Sequence, residues 1–177
     1  MGTELSIRGG AVYTPAELPA AIGEVALGMD GAGQPVLAFT QAENPGQLLT
    51  NRRPLWAASV TCTGPTSCTW QPRKLTDAAG RSLYAERPLL TTDAAGHVAV
   101  TFRGMGFGGQ APGQVGDPPG MRSGSGELAQ AVIDFTTGQV APAYLTQDGA
   151  VNWLPAAAYD PLLDAIVATA IQGPAPA

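Results

Sequence analysis

The feature that most constrains this chain is a short arrangement that returns along it. An apolar run ends at an aspartate, two small residues follow, a glycine closes the turn, and an aromatic stands six residues after that glycine. The clearest copy is residues 90–102, LTTDAAGHVAVTF, with Asp93, Gly96 and Phe102. Near the N-terminus the same places hold Asp30, Gly33 and Phe39, and a weaker copy has Gly138 and Tyr144. Asp at the first position and Gly at the fourth is the preference of a type I turn, because the carboxylate caps backbone N–H groups and glycine accepts the closing geometry. Two short strands around such a turn make a hairpin. Hairpins recurring every few tens of residues are the signature of a repeat protein.

Composition points the same way. With 23 Gly and 16 Pro in 177 residues, the chain suits short strands and many turns better than helices. Its 13% charged and 45% hydrophobic residues fit a folded domain with a core. A net charge of −5 with only nine Lys and Arg offers no basic surface for a phosphate backbone, so no nucleic-acid partner is expected. No run of 18 apolar residues exists, so no membrane span is expected. Residues 1–10 lack the charged and apolar regions of a signal peptide, and the start reads as a cut from something longer.

Taken in order, residues 4–8 and 11–14 read as short strands, followed by a Pro-bounded segment at 15–19. Residues 22–29 suit an inner strand, and 35–40 return from the first Asp turn. After a polar connection, 54–62 and 68–75 form an outer hairpin around Gly64 and Pro65, with Pro72 marking an edge strand. Residues 22–75 thus supply one four-stranded unit. The second unit, 85–155, has an inner hairpin at 88–92 and 97–103 and an outer pair at 127–134 and 139–145. Between them lie residues 104–126, with nine Gly and three Pro, expected to be a functional loop or a disordered one, dispensable for folding and suited to a variable contact. The end echoes the beginning: residues 150–155 match 11–15, and 162–170 match 22–29. So 1–21 reads as outer strands of a preceding unit and 160–171 as the first strand of a following one. A helix over 166–171 is the alternative, since Asp160-Pro161 resembles a helix start.

The run AIGEVALGMDGAGQPVLAFTQ, a strand ending in Cys62, Cys68 six residues on, and PLLTTDAAGHVAVTF together resemble the repeat of bacterial secreted β-propeller proteins. Those repeats have an apolar strand, an Asp-x-x-Gly turn, an aliphatic strand ending in an aromatic and, in many copies, a Cys pair on the outer hairpin. The resemblance covers residues 20–105 well and 127–171 poorly, and the second unit lacks the Cys pair. It implies an all-β, antiparallel fold of four-stranded blade-like repeats, a partial β-propeller, in a secreted or surface-displayed scaffold whose ligand varies between members. No catalytic residues carry over. Propellers close with four to eight blades, so about two blades leave open edges and self-association is expected.

The candidate chemistry is sparse. His97 is the only histidine and no G-x-S-x-G elbow accompanies it, so it reads as a solvent-facing strand residue rather than a triad member. One histidine and a Cys pair do not make a zinc site. Asp30, Asp77 and Asp93 offer one carboxylate per turn, which favours capping over calcium binding. No two acids are marked out as a glycosidase pair, and no cofactor is called for. Arg52-Arg53 and Arg73-Lys74 read as solvated charges, although beside Trp56 and Trp70 they would suit a glycan or an acidic partner. The tryptophans themselves read first as core or cross-strand pairs. Possible ligand contacts are Trp56, Trp70, Arg103, Phe107 and Arg122. The function expected is a non-enzymatic binding or adhesion scaffold; the alternative is a fragment of a secreted carbohydrate-active propeller enzyme whose catalytic residues lie outside this chain. Cys62 and Cys68 are expected to be joined across the outer hairpin, since facing residues on antiparallel strands have Cα atoms about 4.5–5.5 Å apart, within disulfide range. Reduced thiols in a cytosolic protein are the competing reading.

Overall fold

A computed structural model describes residues 5–6, 12–13, 22–41, 53–64, 67–107, 126–146 and 150–173. Every regular element among them is a β-strand: β1 (Leu5–Ser6), β2 (Val12–Tyr13), β3 (Ile22–Met29), β4 (Pro35–Gln41), β5 (Leu55–Gly64), β6 (Ser67–Lys74), β7 (Leu83–Thr92), β8 (Val98–Phe107), β9 (Glu127–Val132), β10 (Ala143–Tyr144), β11 (Val151–Asp160) and β12 (Ala165–Gly173). The fold is all-β with antiparallel four-stranded sheets. One sheet has the order β3-β4-β5-β6 and the other β10-β9-β8-β7, while β1–β2 and β11–β12 are two-stranded hairpins. Pro72 lies on the edge strand β6, where a missing N–H costs no ladder bond.

The aspartate turns are built alike. In each, the glycine N–H donates to the aspartate carbonyl: Gly33 to Asp30, Gly80 to Asp77, Gly96 to Asp93. All three glycines have positive φ, 73°, 76° and 88°, the left-handed conformation that closes a type I turn into a hairpin. The carboxylate gathers amides on the far side: Asp30 Oδ1 accepts from Ala32 and Gln34, and Asp77 Oδ1 from Ala79 and Arg81.

The C-terminal segment differs from the sequence reading. Residues 151–155, taken there into the second unit, belong to β11, which pairs with β12 instead of extending the second sheet, and the two form one hairpin. No helix forms at 166–171. Asp160 Oδ1 accepts from the Leu162 and Leu163 amides at 2.8 and 3.3 Å, and Asp164, at φ 47°, takes the left-handed place held elsewhere by glycine. Asp160-Pro161 therefore starts a turn, after which Ile166, Val167, Thr169 and Ile171 favour extended backbone.

β3–β4, β7–β8 and β11–β12 share a second feature, a bulge in the first strand a few residues before the turn aspartate. The register shifts between Ile22 and Val25, between Glu86 and Leu89, and between Trp153 and Ala156. In the latter two the extra residues are Arg87-Pro88 and Leu154-Pro155, and the residue before each proline has positive φ, 52° and 46°. The hairpins stack in chain order with first strand beside first strand, β3 against β7 and β7 against β11. Their turns touch as well: Gly31 and Gly96 meet backbone to backbone, leaving no room for a Cβ on either, and Thr92 Oγ1 donates to the Met29 carbonyl.

The main core lies between the two four-stranded sheets. Ala38, Leu55, Ala57 and Leu75 on one side meet Val100, Phe102, Ala129, Ala131 and Ile133 on the other. Small residues on the first sheet let the larger ones of the second interdigitate, as close packing requires. Alternate residues of β4 and β5, with Trp70, form a second cluster on the opposite face of the first sheet: Leu37, Phe39, Ala58 and Val60.

Candidate functional site at the stem of the glycine-rich segment

The stem of the glycine-rich segment is held by paired strands. Arg103 of β8 faces Leu128 of β9, and Gly104 faces Glu127. Residues 108–125 between the strands lie outside the described residues, and with them Arg122 and the reading of that segment as a variable contact. The stem is where buried polar side chains concentrate.

Alternation along β8 decides which way each side chain points. Val100 and Phe102 face the core between the sheets. Arg103 turns to the other face, where β11 packs, and is only 3% exposed. Its guanidinium donates to Glu86 Oε2 at 2.8 Å and lies 4.6 Å from the centre of the Trp153 ring, a cation–π contact. Glu86 is also its cross-strand Cα partner. Burial pushes the Glu86 carboxyl above the usual carboxylate range; Arg103 and Arg87 oppose the shift, while the nearby Glu24 carboxylate adds to it. Glu24 Oε2 in turn accepts the Arg87 amide, fastening the bulge of β7 to β3. Gly126 has no side chain because Arg103 crosses it: a Cβ there would overlap Nε and Cγ of the arginine.

Glu127, fully buried, begins β9. Its Oε2 accepts the Thr146 hydroxyl at 2.6 Å, while Thr146 Oγ1 accepts from the Leu128 amide at 3.0 Å and from Asn152 Nδ2 at 3.1 Å. One donor and two lone pairs are thereby used, and the hydroxyl is a fully engaged bracket rather than a nucleophile. Asn152, 2% exposed, also donates through Nδ2 to the Gly126 carbonyl at 3.0 Å, and its own amide donates to the same oxygen. Three segments converge here: the return of the glycine-rich segment, the stretch after β10 and the start of β11. Each is tied to the next by groups that have left water, where an unmade hydrogen bond is costly.

The structure separates the other candidates. Trp56 and Trp70 sit with the second cluster, on the face of the first sheet turned away from the second. Trp56 stacks on Phe39 at 6.3 Å with Lys74 over its ring at 5.4 Å, and Trp70 is 3% exposed. Both indole N–H groups are buried and make no hydrogen bond among the described residues. These rings are packing elements, and both sheets lie between them and the face that carries Arg103. Arg103 itself is spent inside the fold rather than presented to solvent. Phe107 ends β8 opposite Leu83. Arg73 is exposed on β6, and Arg52 lies outside the described residues. His97 is exposed and pairs through Nδ1 with Asp93 Oδ2 at 2.9 Å. Cys62 and Cys68 are direct Cα partners in the β5–β6 register. Among the described residues no group of three or more His, Cys, Asp or Glu could hold a metal ion.

Glu86, Glu127, Thr146, Asn152 and Trp153 do not stand out by residue pattern. The signals that lead to them are the two X-Pro bulges at matching distances before Asp93 and Asp160, and charged residues placed inside otherwise apolar strands. No protein-family model, curated protein or solved structure matches this chain.

Proposed function

We propose that this chain is part of a β-propeller-type scaffold, secreted or displayed at a cell surface, that binds or adheres without catalysing a reaction. The observation that carries the reading is the repetition: three hairpins that each turn after an aspartate, two by Asp-x-x-Gly and the third by the longer 160–164 loop closed at Asp164, each with a bulge in its first strand, stacked with their first strands side by side. Blades around a propeller axis stand in that relation, and the resemblance of residues 20–105 to bacterial secreted propeller repeats supports it. The largest departure from the repeat is the glycine-rich segment, whose stem is braced by Glu86, Arg103 and Glu127, as a rigid scaffold braces a contact loop. The Cys62–Cys68 register supports a disulfide on the outer hairpin of the first sheet and an oxidising compartment.

The test replaces residues 108–125 by a short Gly-Ser link and compares the two proteins for adsorption to intact bacterial cells and to purified cell-wall polysaccharides. The reading predicts that the link retains the cooperative unfolding transition and abolishes adsorption. Equal adsorption by both proteins would remove the segment as the contact, and release of soluble sugars from the polysaccharide would overturn the non-enzymatic reading.

A further inference from the structure

We infer that Arg53, at the joint between the first two hairpins, is an anion receptor whose ligand is a carboxylate carried beside a hydroxyl, as in the hexuronic acids of acidic polysaccharides. The other cations of the sheets are accounted for within the fold or left in water. Arg81 pairs with Asp77, Arg103 pairs with Glu86, Lys74 lies over Trp56, and Arg73 is exposed on the edge strand β6. Arg53 is partly buried, yet among the described residues its guanidinium makes no ion pair and no hydrogen bond. A guanidinium drawn out of water without a counter-charge is costly, and an anion brought from outside removes that cost.

The backbone fixes where this guanidinium stands. The Arg53 carbonyl accepts the Ala85 amide at 3.3 Å, and the next residue, Pro54, bridges to Tyr84, so the arginine is fastened to the start of β7. Its side chain reaches back to the bulge of β3. Gly23 makes room for it: a Cβ there would overlap Nη1 of Arg53 and crowd Thr40 Oγ1. Thr40 Oγ1 in turn accepts the Glu24 amide at 3.0 Å, which holds the bulge in place. Both hairpins that form this joint stand among the described residues.

Glu24 selects the class of anion. Its Oε2 accepts the Arg87 amide, and that bond sets Arg87, a second arginine whose side chain makes no ion pair among the described residues, beside the site. Glu24 is exposed, and its other oxygen accepts from no described group. Sulfate, with a double charge and no proton to donate, is repelled by this carboxylate. A carboxylate alone meets the guanidinium and leaves Glu24 unanswered. A hydroxy-carboxylate answers both, its two oxygens accepting from the fork of Arg53 and its hydroxyl donating to Glu24. The inference stands on Arg53 and Glu24: loss of binding here leaves the scaffold reading in place, and removal of residues 108–125 leaves this site in place.

Titration calorimetry of the parent protein and of Arg53→Lys with trigalacturonate, a neutral trisaccharide and sulfate tests it. Lysine keeps the charge and loses the fork, so trigalacturonate should bind the parent and bind the variant about tenfold or more weakly, with neither of the other two ligands competing. A second measurement needs no variant: trigalacturonate should slow the modification of Arg53 by phenylglyoxal, read by peptide mass, and leave that of Arg73 unchanged. No binding of trigalacturonate to the parent, equal binding of sulfate, or modification of Arg53 at the same rate with and without the uronate overturns the assignment.

Discussion

The two faces of the second sheet are built on opposite principles. Toward the first sheet, β8 presents Val100 and Phe102 to a core of alanines and leucines. Toward β11 the next residue along, Arg103, sits buried against Glu86 and Trp153, and Gln130 Nε2 donates to the fully buried Thr101 at 2.9 Å. Phe102 and Arg103 are neighbours in sequence and anchor different joints. An apolar joint gains from every area it removes from water, and that gain has no directional requirement of its own. A polar joint gains little net energy, because desolvation offsets much of the attraction, but it accepts only one geometry. The first joint therefore supplies cohesion, and the second fixes where β11 and the glycine-rich stem stand.

Substitutions at these neighbours should separate the two roles. Phe102→Ala removes a fully buried ring from the apolar joint and is expected to destabilise by about 3–5 kcal/mol in urea unfolding, at every pH where the protein folds. Arg103→Ala should follow at about 2–4 kcal/mol, because Glu86 is left without its guanidinium. Its signature is reversal: Arg103→Met combined with Glu86→Leu should regain most of the loss, since replacing both members of a buried pair by apolar groups is often neutral. Failure of the double variant to recover would mean that the polar joint supplies cohesion after all. At the row of turns, Gly96→Ala meets both a positive φ and the Gly31 backbone, and about 1–3 kcal/mol is expected from the same measurement.

The smallest effect is a dependence on pH, one limb of which belongs to the polar joint. Glu86 has its carboxyl raised above the ordinary 4.5. The folded state therefore holds that proton more tightly, and its contribution is fully present below the unfolded value and lost as pH rises through the folded one. Asp77 has the opposite sign. Burial alone would raise it, but the hydrogen bonds from the Arg81 amide and side chain outweigh that and hold it below 3.8. Its contribution is present above that value and lost as pH falls through the folded one. Urea midpoints measured against pH should fall gently on the high side of 4.5 in the parent protein, and Glu86→Gln should flatten that limb while leaving the acid limb in place.

The apolar joint was the more legible of the two in the sequence. An Asp-x-x-Gly turn and an aromatic six residues later place Phe102 of this joint inside its strand, as they do Phe39 on the other face of the first sheet, because turn chemistry and strand alternation are local rules. The edge position of β6 could be read from Pro72 for the same reason. The polar joint depends on which elements meet. Glu86, Arg103 and Asn152 come together only after two bulges and a stacking of hairpins that no local rule specifies. The pairing of β11 with β12 was hidden because Asp164 does at φ 47° what glycine does in the other turns. The tryptophans read first as core or cross-strand pairs, and Trp70 is buried while Trp56 stacks on Phe39; a ligand platform and a cross-strand pair have the same sequence, and burial is not a local property.

Native-state hydrogen exchange, read amide by amide in increasing denaturant, tests most directly the claim that one joint coheres and the other positions. Amides of β11 and β12 should exchange through an opening that leaves β4, β5, β8 and β9 protected, and Arg103→Ala should make that opening easier while leaving the others governed by global unfolding. Exchange of all these strands at a single free energy, with the hairpin as well protected as the core between the sheets, would contradict the account.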